Sequence, residues 1–123
     1  MFNFVFVTVF DIVKHFRKIK SNAIGLDNIH PVFLKYMLPK LLPYMCYMFN
    51  TILSTASYPL QWKNAKVLAL SKSANEFHPI SILPFMSKVF ESMLHEQISE
   101  FLCENNILTQ FQSGYKRGRN CIT

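Results

Sequence analysis

Six prolines, at positions 31, 39, 43, 59, 79 and 84, set the limits within which this chain can fold. A proline has no N–H, and its ring clashes with the carbonyl four residues back, so it fits a first helical turn and disrupts a helix interior. Pro31 suits such a first turn; Pro39 punctuates the apolar pattern behind it; Pro43 suits the opening turn of a further helix. Ser57-Tyr58-Pro59 ends that helix, because the residue before a proline is pushed out of helical geometry. His78-Pro79-Ile80-Ser81-Ile82-Leu83-Pro84 is held extended by its prolines. No proline follows Pro84, and the longest helix is expected there.

Apolar periodicity fills in the elements. Thr8 with Asp11 three places on resembles a capping box, and Val9, Ile12, Val13, Phe16 and Ile19 then recur at helical spacing. Lys14, Arg17, Lys18 and Lys20 fall on the opposite side, as a solvated face or a phosphate-facing strip. Gly25 supplies a turn, and Asp27 or Asn28 is expected to cap the next helix. Leu41, Met45, Met48, Phe49, Ile52, Leu53 and Ala56 form a core stripe. Ala65 to Leu70 reads as a short buried strand, followed by a polar turn. In the long helix Phe90, Met93, Leu94, Ile98, Phe101 and Leu102 are expected inside, with Glu96, Glu100 and Glu104 as a solvated strip or, less simply, a cation site. Ile107 and Leu108 then pack back. The expected class is α+β and mainly helical, with helices near 8–20, 29–38, 40–56 and 86–104 and strands near 65–70 and 79–83.

Charge narrows the partners. Thirteen Lys and Arg against seven Asp and Glu leave +6, unevenly spread. Residues 1–72 carry nine bases and two acids, 73–112 one base and five acids, and 113–123 three bases. Basic regions on either side of an acidic helix favour a polyanion on chosen faces. Half of the residues are hydrophobic, an apolar excess that calls for a partner or further sequence. Cys46, Cys103 and Cys121 are odd in number and without Cys-x-x-Cys spacing, which argues against a disulfide framework or zinc site and for a reducing, intracellular setting. His15, His30, His78 and His95 show no paired ligand spacing. The apolar opening, Met1 to Phe10, lacks a basic flank and has about half the ~20 residues of a membrane span, so it reads as a strand or buried arm and the chain is expected to avoid membranes.

Two places invite phosphate. Lys72 lies just past the first strand beside the polar turn. Gln112-Ser113-Gly114-Tyr115-Lys116-Arg117-Gly118-Arg119 combines glycines that admit close backbone approach, an aromatic that can stack on a base, and three cations.

Laid end to end, these pieces resemble the fingers region and early palm of reverse transcriptases (RNA-directed DNA polymerases) from non-LTR, jockey-like retrotransposons. Lys20-Ser21-Asn22-Ala23-Ile24-Gly25-Leu26-Asp27-Asn28-Ile29 resembles the family's Lys-Ser-x-Ala-x-Gly-x-Asp-x-Ile, with Phe33-Leu34-Lys35 behind it. Trp62-Lys63, Ala65 and Val67, then Lys72, resemble the strand that leads to the fingers lysine. Phe77 to Pro84, with Ser87-Lys88-Val89-Phe90-Glu91, resembles Tyr/Phe-Arg-Pro-Ile-Ser-Leu-Leu-Pro and Ser-Lys-x-x-Glu, and Gln112-Ser113-Gly114-Tyr115 resembles Gln-Ser-Gly-Phe. The family's arginine before Pro-Ile-Ser is His78 here, without the guanidinium fork that grips phosphate, and the usual proline before Asp27 is Leu26.

The resemblance implies DNA synthesis on an RNA template from a DNA primer. It makes Lys72, and His78 in its arginine's place, nucleotide or template contacts, Gln112, Gly114 and Tyr115 a template–primer segment, and Arg117 and Arg119 backbone contacts. Family members need Mg²⁺ held by palm carboxylates, and this chain is expected to be a partial domain, 1–123, that stops before them and completes itself against missing palm and thumb sequence; Met1 has the look of an internal position. The other reading is a non-enzymatic helical interaction module with a basic surface; recruitment of the segment by a host for a new role is a third. No cofactor is expected in this chain alone, and the purified 123-residue chain is expected not to extend a primer. Template-dependent, Mg²⁺-dependent dNTP incorporation by that chain would overturn this expectation.

Overall fold

In a computed structural model, which describes residues 2–107, three helices enclose the core and an antiparallel hairpin stands beside them. The order is α1 (Val9–Lys18), α2 (Pro31–Thr55), a short 3₁₀ turn (Leu60–Lys63), β1 (Lys66–Ser73), β2 (Glu76–Ile82) and α3 (Phe85–Glu104). The class is α+β and mainly helical, as the sequence leads one to expect. No helix among the described residues is long and apolar enough to cross a membrane.

Helix α1 starts at the expected box. The Asp11 N–H donates to Thr8 Oγ1 at 3.3 Å, and Asp11 Oδ2 accepts from the Thr8 N–H at 2.9 Å, so two otherwise unpaired donors are satisfied. Arg17 and Lys18 in its last turn complement the helix dipole.

Helix α2 corrects the expected pair of helices. It runs unbroken through Pro39 and Pro43. Each proline forfeits one bond, to the carbonyls of Lys35 and Pro39 respectively, and residues 35, 39 and 43 are all exposed, so both prolines lie on the outer side of the helix, where a lost bond costs least. The opposite side, Leu34, Met45, Phe49 and Ile52, is buried and holds the helix together. Its cap is also different from the expected one: His30 Nδ1 accepts from the Val32 N–H at 3.1 Å, while Asp27 Oδ1 accepts from the Ile29 N–H within the preceding turn. Asn28 in that turn is left-handed, φ 56°, a conformation asparagine tolerates.

The core joins all three helices. Ile12 and Phe16 of α1, Met45 and Phe49 of α2, and Phe85, Val89, Phe90 and Met93 of α3 are buried together. Phe16 meets Phe85 edge-on at 5.0 Å between centroids, and Phe49 lies 5.2 Å from Phe90. Burial is confined to the first half of α3, so two expectations there are corrected: Ile98 is 40% and Ile107 56% exposed. No residue of α3 beyond Met93 belongs to the buried cluster. Leu108 lies outside the described residues.

The expected buried strand is corrected as well. Among the described residues β1 pairs only with β2, from Lys66↔Ile82 to Ser73↔Glu76, with an irregularity between Ser71 and Ser73. Val67 is 62% exposed, because no helix lies over the ribbon; Ile82, at its base, is buried. In a two-stranded ribbon every strand is an edge, which is why Pro79 is accepted opposite Ala69.

Residues 2–8 form no regular element, and the expected arm is buried only at Val7. Two side-chain amides hold its backbone. Asn50 accepts from the Val7 N–H and donates to its carbonyl, and Gln97 does the same at Val5, each bond 2.8–3.0 Å.

Gly25 locks the loop before α2 to the entry of α3. A Cβ there would sit 3.0 Å from the Pro84 nitrogen and 3.1 Å from the Leu83 carbonyl carbon and oxygen, all backbone atoms. Gly25→Ala is therefore expected to cost about 1–3 kcal/mol through overpacking. Urea unfolding followed by circular dichroism checks it, and an unchanged midpoint would show that the loop yields freely.

Candidate nucleic-acid interface

The basic side of α1 does not act as one surface. Lys14 Nζ donates to Glu96 Oε1 of α3 at 2.9 Å, and that contact above all holds the Glu96 carboxyl below its usual pKa, with buried His15 lending support against partial desolvation. The same ion pair raises the Lys14 ammonium. His15 Nε2 faces the other Glu96 oxygen and its Nδ1 lies 2.7 Å from Ser92 Oγ. A carboxylate only accepts, so Nε2 carries the hydrogen towards Glu96, and in the neutral ring Nδ1 accepts from the Ser92 hydroxyl. Glu96 is thus a clamp between α1 and α3 rather than part of a solvated strip.

Arg17 and Lys20, at the far end of α1, turn the other way. With Lys35 of α2 they line a groove of about 540 Å³ floored by Phe16, Ile19, Leu38 and Pro39. Among the described residues none of the three cations is ion-paired; Lys35 Nζ has only Asn22 Oδ1, at 3.5 Å. Three unneutralised cations around an apolar floor, with no carboxylate in the lining, attract an anion that carries an apolar or aromatic body. A second cleft, at Phe33 and Met86, has no lysine or arginine, and a third, beside Trp62, includes the carboxylate of Asp27, so the groove stands out electrostatically.

The sequence-derived candidates fall elsewhere. Lys72 and His78 belong to the two strands of one hairpin, Lys72 within the irregularity near its tip and His78 paired in register with Leu70. Gln112, Gly114, Tyr115, Arg117 and Arg119 lie outside the described residues. Lys35 was missed as a groove residue: fifteen positions and a turn separate it from Lys20, and no local spacing announces their convergence.

The familiar motifs do structural work in this region. Gly25 packs on Leu83-Pro84. Ser87 and Glu91 hold Tyr58, whose hydroxyl is 2.9 Å from Ser87 Oγ and from Glu91 Oε1; burial first of all raises that phenol's pKa. Trp62 joins Phe49, Tyr58 and Phe90 in one aromatic cluster, centroids 5.6–6.1 Å from its own. Asp11 and Asp27, the only aspartates, are engaged in a cap and a turn, and no three His, Cys, Asp or Glu side chains converge among the described residues. These residues do not fit a two-metal centre.

The chain is thus a helix-rich α+β unit with a basic groove, and comparison with known proteins finds it similar to a set of transposon proteins. Over 104 residues, 80% of this chain and 12% of the relative, it is 29% identical to a probable RNA-directed DNA polymerase from transposon BS of Drosophila melanogaster. It is also 29% identical over 108 residues to the probable RNA-directed DNA polymerase from transposon X-element of the same fly, covering 83% of this chain and 12% of that protein. Identity to the RNA-directed DNA polymerase from mobile element jockey is 21% over 102 residues. The likeness to reverse transcriptases of non-LTR retrotransposons read from the motifs is borne out, and the chain spans only 11–12% of the length of these relatives. No family model matches it.

The Glu96 clamp sets a pH dependence. A carboxyl whose folded pKa lies below its unfolded one contributes stability that is present above the unfolded value and lost as pH falls through the folded value. The α1–α3 contact is expected to weaken from roughly pH 4.5 downwards, and Glu96→Gln to remove that part of the acid sensitivity. Equal acid unfolding of variant and parent would disprove the linkage.

Proposed function

We propose that this chain is a nucleic-acid-gripping part of a retrotransposon reverse transcriptase, corresponding to the fingers and early palm, that holds the template–primer or nucleotide phosphates rather than the catalytic metals. The observation that carries this reading is the groove between α1 and α2, where Arg17, Lys20 and Lys35 have no carboxylate partner among the described residues. Its location supports the reading: Lys20 opens the Lys-Ser-x-Ala-x-Gly stretch and Lys35 closes the Phe-Leu-Lys that follows. Lys72 and His78 on the hairpin, and Gln112, Gly114, Tyr115, Arg117 and Arg119 beyond it, extend the same grip by resemblance. An RNA template and a DNA primer are the proposed partners, the Mg²⁺ chemistry belongs to carboxylates supplied by other palm sequence, and the chain works inside the cell.

Each phosphate neutralised by a cation should contribute roughly one unit to the slope of log affinity against log salt. Binding of the purified chain to a labelled RNA–DNA primer–template is expected to weaken steeply with salt. Replacing Arg17, Lys20 and Lys35 together by Gln is expected to lower that slope by about two to three units. Fluorescence anisotropy across a salt series measures both, and an unchanged slope in the triple variant would reject the groove as a phosphate site.

A further inference from the structure

Among the described residues, helix α2 carries a second surface without a partner, on the side away from the core. Tyr36, Tyr44 and Tyr47 are 83%, 75% and 77% exposed. At 100° per residue they fall within about 80° of arc, with Lys40 among them, and a rise of 1.5 Å per residue places the outer two about 16 Å apart along the axis. The buried residues Leu34, Met45, Phe49 and Ile52 lie opposite. No acidic residue occurs anywhere in Pro31–Thr55, so Lys35 and Lys40 are its charges. Tyr36 is the immediate neighbour of Lys35 and lies three residues from Pro39, both of which line the basic groove.

From this juxtaposition we infer that the outer face of α2 is a stacking platform for unpaired bases, continuing the path of a single nucleic-acid strand whose phosphates lie in the groove. The inference rests on the reading of that groove as a phosphate site. Tyrosine supplies a flat face on which any base can stack, and a lysine between stacked positions meets the backbone charge. A duplex keeps its base faces inside the stack and offers the tyrosines nothing, so the occupant is single-stranded. Phe33, 61% exposed, falls in the same arc, so the face presents four rings, three of them hydroxyl-bearing, around a lysine with no carboxylate partner among the described residues.

The test compares a labelled 12-nucleotide single strand with the matching duplex, both by anisotropy at fixed salt, on the full 123-residue chain. Stacked side chains each contribute roughly fivefold or more on alanine replacement. The Y36A/Y44A/Y47A variant is expected to bind the single strand about a hundredfold more weakly, with duplex affinity unchanged and the parent's circular dichroism spectrum. The Y36F/Y44F/Y47F variant keeps the ring faces and is expected to bind like the parent. Single-strand affinity unchanged by the alanine variant overturns the platform, while steep salt dependence lost with Arg17, Lys20 and Lys35 leaves the groove standing. A parent chain that dimerises in sedimentation through these tyrosines, with single-strand binding indifferent to them, makes the face a self-association surface instead. If the parent binds neither form, both readings fall.

Discussion

The contact between Gly25 and the Leu83-Pro84 backbone governs the rest of the architecture. It brings a loop from the first quarter of the chain against the entry of the last helix, so close that a Cβ would fit only if the backbone gave way. With that crossing in place α2 begins where its buried side meets α1 and α3, and Lys35 comes to rest opposite Arg17 and Lys20. A glycine at a crossing of two backbones is a steric requirement, independent of chemistry. The residues that carry the chain's resemblance to RNA-directed DNA polymerases, Gly25, Pro84, Ser87, Glu91 and Trp62, are largely packing devices in this unit.

Much of this was legible in advance. The Thr8 box, the ends of α1 and α3, and the burial of Phe49 and Phe90 follow from local capping and apolar spacing. The errors share one cause, which is that local rules do not record what lies on the other side of an element. Pro39 and Pro43 break a helix by rule, yet both are exposed, on the side away from the buried residues that hold the helix. Val67 has the composition of a buried strand, yet no helix covers it. Glu96 looks like one tooth of a charged strip until α1 packs against it and supplies Lys14 and His15.

The candidate site was legible only in part. The basic run at the end of α1 was visible, but its division into Lys14, spent on Glu96, and Arg17 with Lys20, turned to the groove, depends on how α1 sits between its neighbours. Lys35 enters through tertiary convergence, and Asn50 and Gln97, which hold the arm at Val7 and Val5, had no sequence signature at all. Polar side chains that satisfy distant backbone are recognisable only after folding, because a surface amide and a clamping amide read alike in sequence.

The hairpin of β1 and β2 stands outside the shared core and is anchored chiefly through Ile82 at its base. Among its described side chains only Ile82 is buried, so it opens at a free energy set by its own ladder rather than by the whole unit. Such a segment is thermodynamically insulated. Substitutions along its tip register little in the stability of the helices, and the two strands are free to drift in sequence under pressures that the packed helices cannot follow.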